Sequence, residues 1–177
     1  MIRSSSIAIV TALGLGALAT PLVTGMWRGG HSVWTEVQWP FPIDEWGTGK
    51  AFRCKAADCG TELNVYIRPK IGFCDCLTGV SDDAELERLS DFGLIGGPVA
   101  RLGEGRAVRV AWMKGRSRAY QISGGRSALS IAFNSECDAI VASALFDGER
   151  AAVAEPQVIE LLNGPTVVQW AKLALGQ

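Results

Sequence analysis

The first 26 residues form an almost uncharged apolar segment, and all five cysteines of the chain lie beyond it. No charged residue occurs between Ile7 and Met26. Twenty residues of helix rise roughly 30 Å, which matches the hydrocarbon core of a bilayer. Because this segment determines the side of the membrane on which the rest folds, it also determines whether the cysteines meet an oxidising environment.

The order of features within this segment is typical of an export signal. Arg3 precedes the apolar core, and Ala17-Leu18-Ala19 is a small-x-small pattern of the kind that signal peptidase cuts after. We expect residues 1–26 to be a signal peptide or a retained transmembrane anchor, residues 27–48 a Trp/Pro/Gly-rich linker, and residues 49–177 a single extracytoplasmic domain. The predicted location is the periplasm, with the chain anchored in the inner membrane or secreted.

Tryptophans are concentrated just after the apolar segment. Four of the six lie there: Trp27, Trp34, Trp39 and Trp46. An indole is stable at the headgroup boundary of a membrane, which favours a retained anchor. The alternative is that these rings pack against the folded domain. We assign Trp27 and Trp34 to a candidate interaction surface and expect Trp39 and Trp46 to pack.

The remaining part of the chain is long enough for one domain with a hydrophobic core. A formal net charge of −1 and a pI near 5.9 give no overall attraction to nucleic acid. The sequence therefore predicts a membrane contact through the N-terminal segment and a protein partner in the envelope, but no nucleic-acid partner.

Hydrophobic periodicity predicts an antiparallel sheet with a helical end. Short strands are expected over 51–55, 63–67 and 71–76, followed by a helix capped by Ser81 and ended by Gly93. Two hairpins follow, the first over 108–122 with its turn at 114–117 and the second over 128–146; two helices come last, starting at Pro156 and after Gly164-Pro165. The predicted class is α+β: an antiparallel sheet of hairpins, one intervening helix and two C-terminal helices, stapled by disulfides.

Four cysteines lie close together in the sequence: Cys54, Cys59, Cys74 and Cys76. In an oxidising compartment we expect two disulfides that join the Cys54/Cys59 loop to the Cys74/Cys76 strand, with the pairing left open. The same four thiolates are the alternative ligands of a zinc ion, although the one-residue spacing of the second pair suits zinc poorly. We expect Cys137 to be a buried free thiol, with a disulfide to another cysteine or another chain as the alternative.

Histidine chemistry is nearly excluded because His31 is the one histidine of the chain. The adjacent carboxylates Asp44/Glu45 and Asp82/Asp83 are expected to face solvent, since adjacency in sequence does not set the spacing that acid–base catalysis needs. No catalytic, cofactor or resident metal site is predicted. The alternative functions are an exported hydrolase with an unrecognised site and a four-cysteine zinc module.

Charge is segregated along the chain. Between Arg101 and Arg126 seven basic residues accompany one acid, Glu104, whereas the helix after Ser81 is rich in acids. One interpretation is a basic hairpin that meets anionic headgroups or an acidic partner, and its candidate residues are Arg109, Lys114, Arg116 and Arg118. The other, which we favour, is a solvated strand edge whose charges deter aggregation.

The segments Phe73-Cys74-Asp75-Cys76 and 82–89 resemble the invasion-associated locus B family of secreted bacterial proteins, and the chain more generally resembles uncharacterised exported proteins of alphaproteobacteria. The resemblance covers residues 50–92, implies export and transfers no catalytic residue. The predicted 105–146 hairpins and two-helix tail depart from the family's pattern. The sequence thus predicts an exported, membrane-tethered, non-enzymatic domain that binds a protein or envelope component, such as an accessory subunit of a membrane complex.

Overall fold

The computed structural model describes residues 33–72 and 75–177. The apolar segment, Trp27, His31 and Cys74 lie outside the described residues, as do the predictions made for them. Within the described ranges, the structure contains no helix of the length and apolar character needed to cross a membrane.

The described part of the chain forms a seven-stranded antiparallel sheet in the order β1-β2-β3-β7-β6-β5-β4. Its strands are β1 Trp34–Val37, β2 Lys50–Cys54, β3 Leu63–Lys70, β4 Pro98–Val110, β5 Met113–Ile122, β6 Arg126–Ser135 and β7 Asp138–Asp147. The helices are α1 Ala56–Cys59, α2 Asp83–Leu89, α3 Phe92–Ile95, α4 Ala151–Asn163 and α5 Pro165–Ala174. The predicted α+β class is confirmed.

Alternation of apolar side chains along the strands gives the sheet two buried faces. On the first face, Leu63, Val65 and Ile67 of β3 lie in the main core, as their spacing predicts. The C-terminal helices cover this face with Val158 of α4 and Val167 of α5, both almost fully buried. The two-helix tail therefore forms one side of the principal hydrophobic core.

The short helices cover the second face. Leu86 and Leu89 of α2 pack against Ala132 and Val141 of the central strands. Ile95 of α3 belongs to a neighbouring cluster with side chains of β5, β6 and β7. Because both faces are covered, the sheet is the middle layer of a three-layer arrangement.

Part of the predicted linker takes part in this fold. Its described residues supply β1, which pairs with β2, and an aromatic group over the second face. Trp39 meets Phe41 and Tyr66 edge-on, at ring-centroid distances of 5.3 and 6.2 Å. These contacts place residues 34–41 inside the domain rather than between it and the apolar segment.

Two predicted elements are wrong. The strand expected over 71–76 is absent from its described part, because β3 continues through Lys70 and the chain then turns. Asp75 stabilises that turn by accepting hydrogen bonds from the N–H groups of Leu77 and Thr78. The turn expected at 114–117 lies instead at residues 111–112, because the alternating charged residues that suggested a turn form one face of β5.

Three helix boundaries also differ from the predictions. Asp82, rather than Ser81, caps α2 by accepting a hydrogen bond from the N–H of Glu85 at 2.8 Å. Gly93 lies inside α3 instead of ending the preceding helix. At the C-terminal end, α4 begins before Pro156, which is exposed and lies within the helix.

Candidate interaction surface

The structure pairs four cysteines into two disulfides. Cys54 ends β2, and the single turn of α1 brings Cys59 back to it at a Cα–Cα distance of 6.1 Å. Cys76 bonds to Cys137, with a Cα–Cα distance of 4.2 Å and a sequence separation of 61. The second disulfide ties the loop after β3 to the turn between β6 and β7.

This pairing corrects the predicted connectivity. The expected bridges between the Cys54/Cys59 loop and the Cys74/Cys76 segment do not form, because α1 folds Cys59 back onto Cys54. Cys137 is not a free thiol, because the β6–β7 turn reaches the loop that carries Cys76. The zinc alternative is wrong as well, since two of its four ligands are bonded to each other. No group of three or more metal-binding side chains occurs within residues 33–72 and 75–177.

Disulfides persist in oxidising compartments and are rare in the cytosol. The two bridges therefore fit an extracytoplasmic location for the domain.

The segregated charges of the sequence meet each other in the fold. Arg116 and Arg118 of β5 both bind Asp83 of α2, and the Arg118–Asp83 distance is 2.9 Å. Arg101 of β4 makes two hydrogen bonds to Glu87, each 2.6 Å long. The acidic helix is thus the partner of three of the seven basic residues between Arg101 and Arg126.

These pairs change the interpretation of Arg116 and Arg118. Their side chains are only 22% and 13% exposed. Hydrogen bonding by Arg116 holds the pKa of Asp83 below its ordinary value, and Arg101 has the same effect on the pKa of Glu87. Both arginines are therefore structural ion-pair residues, which neither interpretation of the sequence foresaw.

Arg109 and Lys114 lie beyond the reach of the acidic helix. They are register partners at the end of the β4–β5 hairpin and both are exposed. The turn between them carries Trp112, which is 39% exposed. Lys172 of α5 places its ammonium 5.3 Å from the centroid of the Trp112 ring. We call Arg109, Trp112, Lys114 and Lys172 the basic tip.

The charges of the basic tip are not neutralised by the described part of the chain. No ion pair to Arg109, Lys114 or Lys172 occurs among the described residues. Arg106, further along β4, differs because it pairs with Glu155 of α4. The basic tip therefore concentrates positive charge beside an exposed indole.

The backbone of the tip is held in place by the helical layer. Ala111 has φ 50°, a left-handed conformation that residues other than glycine rarely adopt. Its N–H donates a 2.8 Å hydrogen bond to the side-chain oxygen of Asn163, the last residue of α4. Asn163 in turn donates to the carbonyl of Ile159 at 2.8 Å. The turn is thereby fixed to the end of α4.

The structure divides the predicted interaction residues among three places. Arg109 and Lys114 lie at the basic tip, while Arg116 and Arg118 bind α2. Trp34 lies on β1, at the opposite edge of the sheet, and packs partly buried against the core. Trp112 could have been found from its place at the apex of a hairpin, but Lys172 could not, because α5 brings it there from a distant part of the sequence.

Comparisons with known proteins do not assign the chain to a family. No family model matches the sequence, and no curated protein matches it. Among solved structures, the chain is similar to the solution structure of cyanobacterial PsbP (CyanoP) from Synechocystis sp. PCC 6803. The sequences are 13% identical, the TM-score is 0.43, and the match covers 74% of this chain and 79% of that one. This likeness carries no argument about function, and the resemblance to the invasion-associated locus B family stays a prediction.

Proposed function

We propose that the chain is an exported, membrane-tethered, non-enzymatic domain that binds an acidic protein in the cell envelope, in the manner of an accessory subunit. The observation that supports this most is the basic tip, a group of cations that form no ion pair with residues 33–72 or 75–177, in a fold that neutralises most of the same hairpin. The apolar N-terminal segment would supply the tether, and the disulfides fit the proposed compartment.

The arrangement of the tip has an energetic cost that folding alone does not require. Arg109 and Lys114 are directly opposite each other across two strands. Like charges in this position destabilise a sheet by a few tenths of a kcal/mol. An acidic surface docked on the tip would turn this repulsion into attraction.

The composition of the tip favours a protein over a lipid surface. Tryptophan and arginine are enriched among the residues that dominate protein–protein binding energy. Recognition of anionic lipid by charge usually takes about four to eight clustered basic residues, more than the three cations of the tip. A partner with a carboxylate-rich patch therefore suits the tip better than a bilayer does.

The test is recovery of the partner from native membranes with the full-length chain as bait. The variant R109E/K114E reverses both hairpin charges and leaves the core untouched. The matched control R53E/K55E reverses two exposed charges on and beside β2, at the other end of the sheet order. Quantitative mass spectrometry of the co-purified proteins compares the two variants with the wild type.

We expect one partner to be recovered with the wild type and the control, and at least about tenfold less of it with R109E/K114E, equivalent to about 1.4 kcal/mol of binding free energy. Washing at about 1 M salt, where the Debye length is about 3 Å, should also release it. Equal recovery with both variants would contradict the proposal. The proposal would also be wrong if no protein is recovered and the wild type binds anionic vesicles but R109E/K114E does not. The partner of the basic tip would then be lipid.

A further inference from the structure

A cavity opens on the second face of the sheet, between α2 and the start of β4. Its volume is about 230 Å³, and it is lined by Glu87, Pro98, Ala100, Arg101 and Tyr120. Tyr120 is fully buried, whereas the lining residues of β4 are exposed. Tyr120 therefore forms the floor of the cavity and the others form its rim.

The Tyr120 hydroxyl is buried and has no hydrogen-bond partner among the described residues. A buried hydroxyl without a partner loses on the order of 1–3 kcal/mol of hydrogen-bond energy. Burial raises the pKa of Tyr120 to about 12, and the Glu87 carboxylate adds to this effect. The phenol therefore keeps its proton at neutral pH and acts as a hydrogen-bond donor.

Arg101 offers further donors at the rim. Its Nε and Nη2 atoms bind Glu87, while Nη1 makes no hydrogen bond within the described ranges. Two of the lining residues, Arg101 and Glu87, belong to a larger ion-pair network, in which the three guanidinium groups of Arg101, Arg116 and Arg118 face the two carboxylates of Asp83 and Glu87. One positive charge of this network is left unbalanced.

We propose that this cavity binds a small molecule through an oxyanion group, a carboxylate or a phosphate, with the Tyr120 hydroxyl and the free edge of Arg101 as donors. The volume is below the roughly 300–1,000 Å³ of pockets for drug-sized ligands, so the ligand is a small one. This site lies toward the open end of the β4–β5 hairpin, away from the turn that carries the basic tip, and does not depend on the proposed protein partner.

The two tyrosines of the chain make a direct test possible. Tyrosine labelled with ¹³C at the ring carbon that bears the hydroxyl gives one NMR signal for Tyr66 and one for Tyr120 in the full-length chain. Loss of a signal in Y120F assigns them. Acetate and inorganic phosphate serve as probes, and acetamide serves as the uncharged counterpart of acetate.

We expect acetate or phosphate to shift the Tyr120 signal with saturation while the Tyr66 signal stays in place, and acetamide to have no saturable effect. R101Q should weaken the binding at least about fivefold, since it removes the guanidinium but keeps a polar side chain. The control R106Q removes an exposed arginine of the same strand that pairs with Glu155 instead, and should bind like the wild type.

Shifts that do not saturate, that affect Tyr66 equally, or that persist unchanged in R101Q would overturn the proposal. Circular dichroism of R101Q and Y120F checks that both variants fold. Because the readout involves no protein partner, failure here leaves the proposed function untouched, and loss of the partner with R109E/K114E leaves this site untouched.

Discussion

Arg68 is a buried charged residue that forms ion pairs with two carboxylates. Its side chain is 5% exposed and binds Asp91 at 2.5 Å and Asp44 at 2.7 Å. Lys70 also reaches Asp91, at 2.9 Å. Sequence periodicity could not reveal that α3 and residues 39–46 cover the face of β3 that carries Arg68. Asp44 is consequently an ion-pair partner rather than the solvent-facing carboxylate we expected.

Replacing Arg68 by alanine should lower the free energy of unfolding by about 3 kcal/mol, because removing one partner leaves a buried carboxylate without full compensation. Chemical denaturation of the full-length chain in detergent measures the change. The control Arg53→Ala removes an arginine whose side chain is 56% exposed and should change stability by less than about 0.5 kcal/mol. Similar losses of unfolding free energy in both variants would show that the contribution of Arg68 to stability does not depend on its burial.

The strained turn at Ala111 gives a second prediction at this scale. Ala111→Gly should raise the free energy of unfolding by about 1 kcal/mol, because glycine adopts positive φ without the penalty that a Cβ brings. Asn163→Ala should lower it by about 1 kcal/mol through loss of the hydrogen bond to the Ala111 N–H. Thermal unfolding of the two variants checks both signs. A destabilised Ala111→Gly would mean that the turn is not held at positive φ.

At the scale of elements, α2 and the β4–β5 hairpin are joined by charge as well as by apolar contact. The folded-state pKa values of Asp83 and Glu87 lie below their ordinary values of 3.8 and 4.5. In the pH range where these two carboxylates titrate, the unfolded chain therefore binds more protons than the folded one. Their contribution to stability is present at neutral pH and is lost as the pH falls.

We expect the unfolding free energy of the wild type to fall between about pH 5 and pH 3, the range in which unfolded carboxylates take up protons. The double variant Asp83→Asn/Glu87→Gln should be less stable at pH 7 and should show a shallower decline over the same range. Denaturation curves at several pH values measure both slopes. Parallel declines would mean that these two carboxylates do not couple folding to pH.

The two disulfides should contribute unequally. Chain-entropy arguments give about 2 kcal/mol for the loop closed by Cys54 and Cys59, and about 4 kcal/mol for the 61-residue separation between Cys76 and Cys137. Replacing the second pair by alanine should therefore cost more stability than replacing the first. Thermal unfolding of the two double variants decides this, and the opposite order would show that packing of the buried Cys54 and Cys59 outweighs loop entropy.

Sequence patterns predicted strands well where the spacing of apolar residues was regular. The β6–β7 hairpin and β3 were predicted in this way, and both are confirmed. The turn at 114–117 was misplaced because basic residues at every second position suggest a loop, although here Arg116 and Arg118 bind α2. Cys137 was expected to be a free thiol, with a disulfide only as the alternative, because its contact with Cys76 depends on how the sheet folds, which spacing in sequence does not encode.

At the scale of the whole molecule, the fold turns a sequence with segregated charge into a surface that is largely neutralised. The acidic helix and the basic hairpin carry opposite charges, and they bind each other across the second face of the sheet. The opposite charge runs in the sequence did not indicate this internal pairing, because either run could have met another molecule. The basic tip, which forms no ion pair with the described part of the chain, could be recognised only after the internal pairs were known.

The account depends on a domain that folds outside the cytoplasm with its cysteines oxidised. The most direct test is mass spectrometry of the chain isolated from its native cell, alkylated before any reductant is added and then digested. We predict cross-linked peptides that join Cys54 to Cys59 and Cys76 to Cys137, with at most one of the five cysteines alkylated. Alkylation of all five would contradict the account, because it would place the folded domain in a reducing compartment.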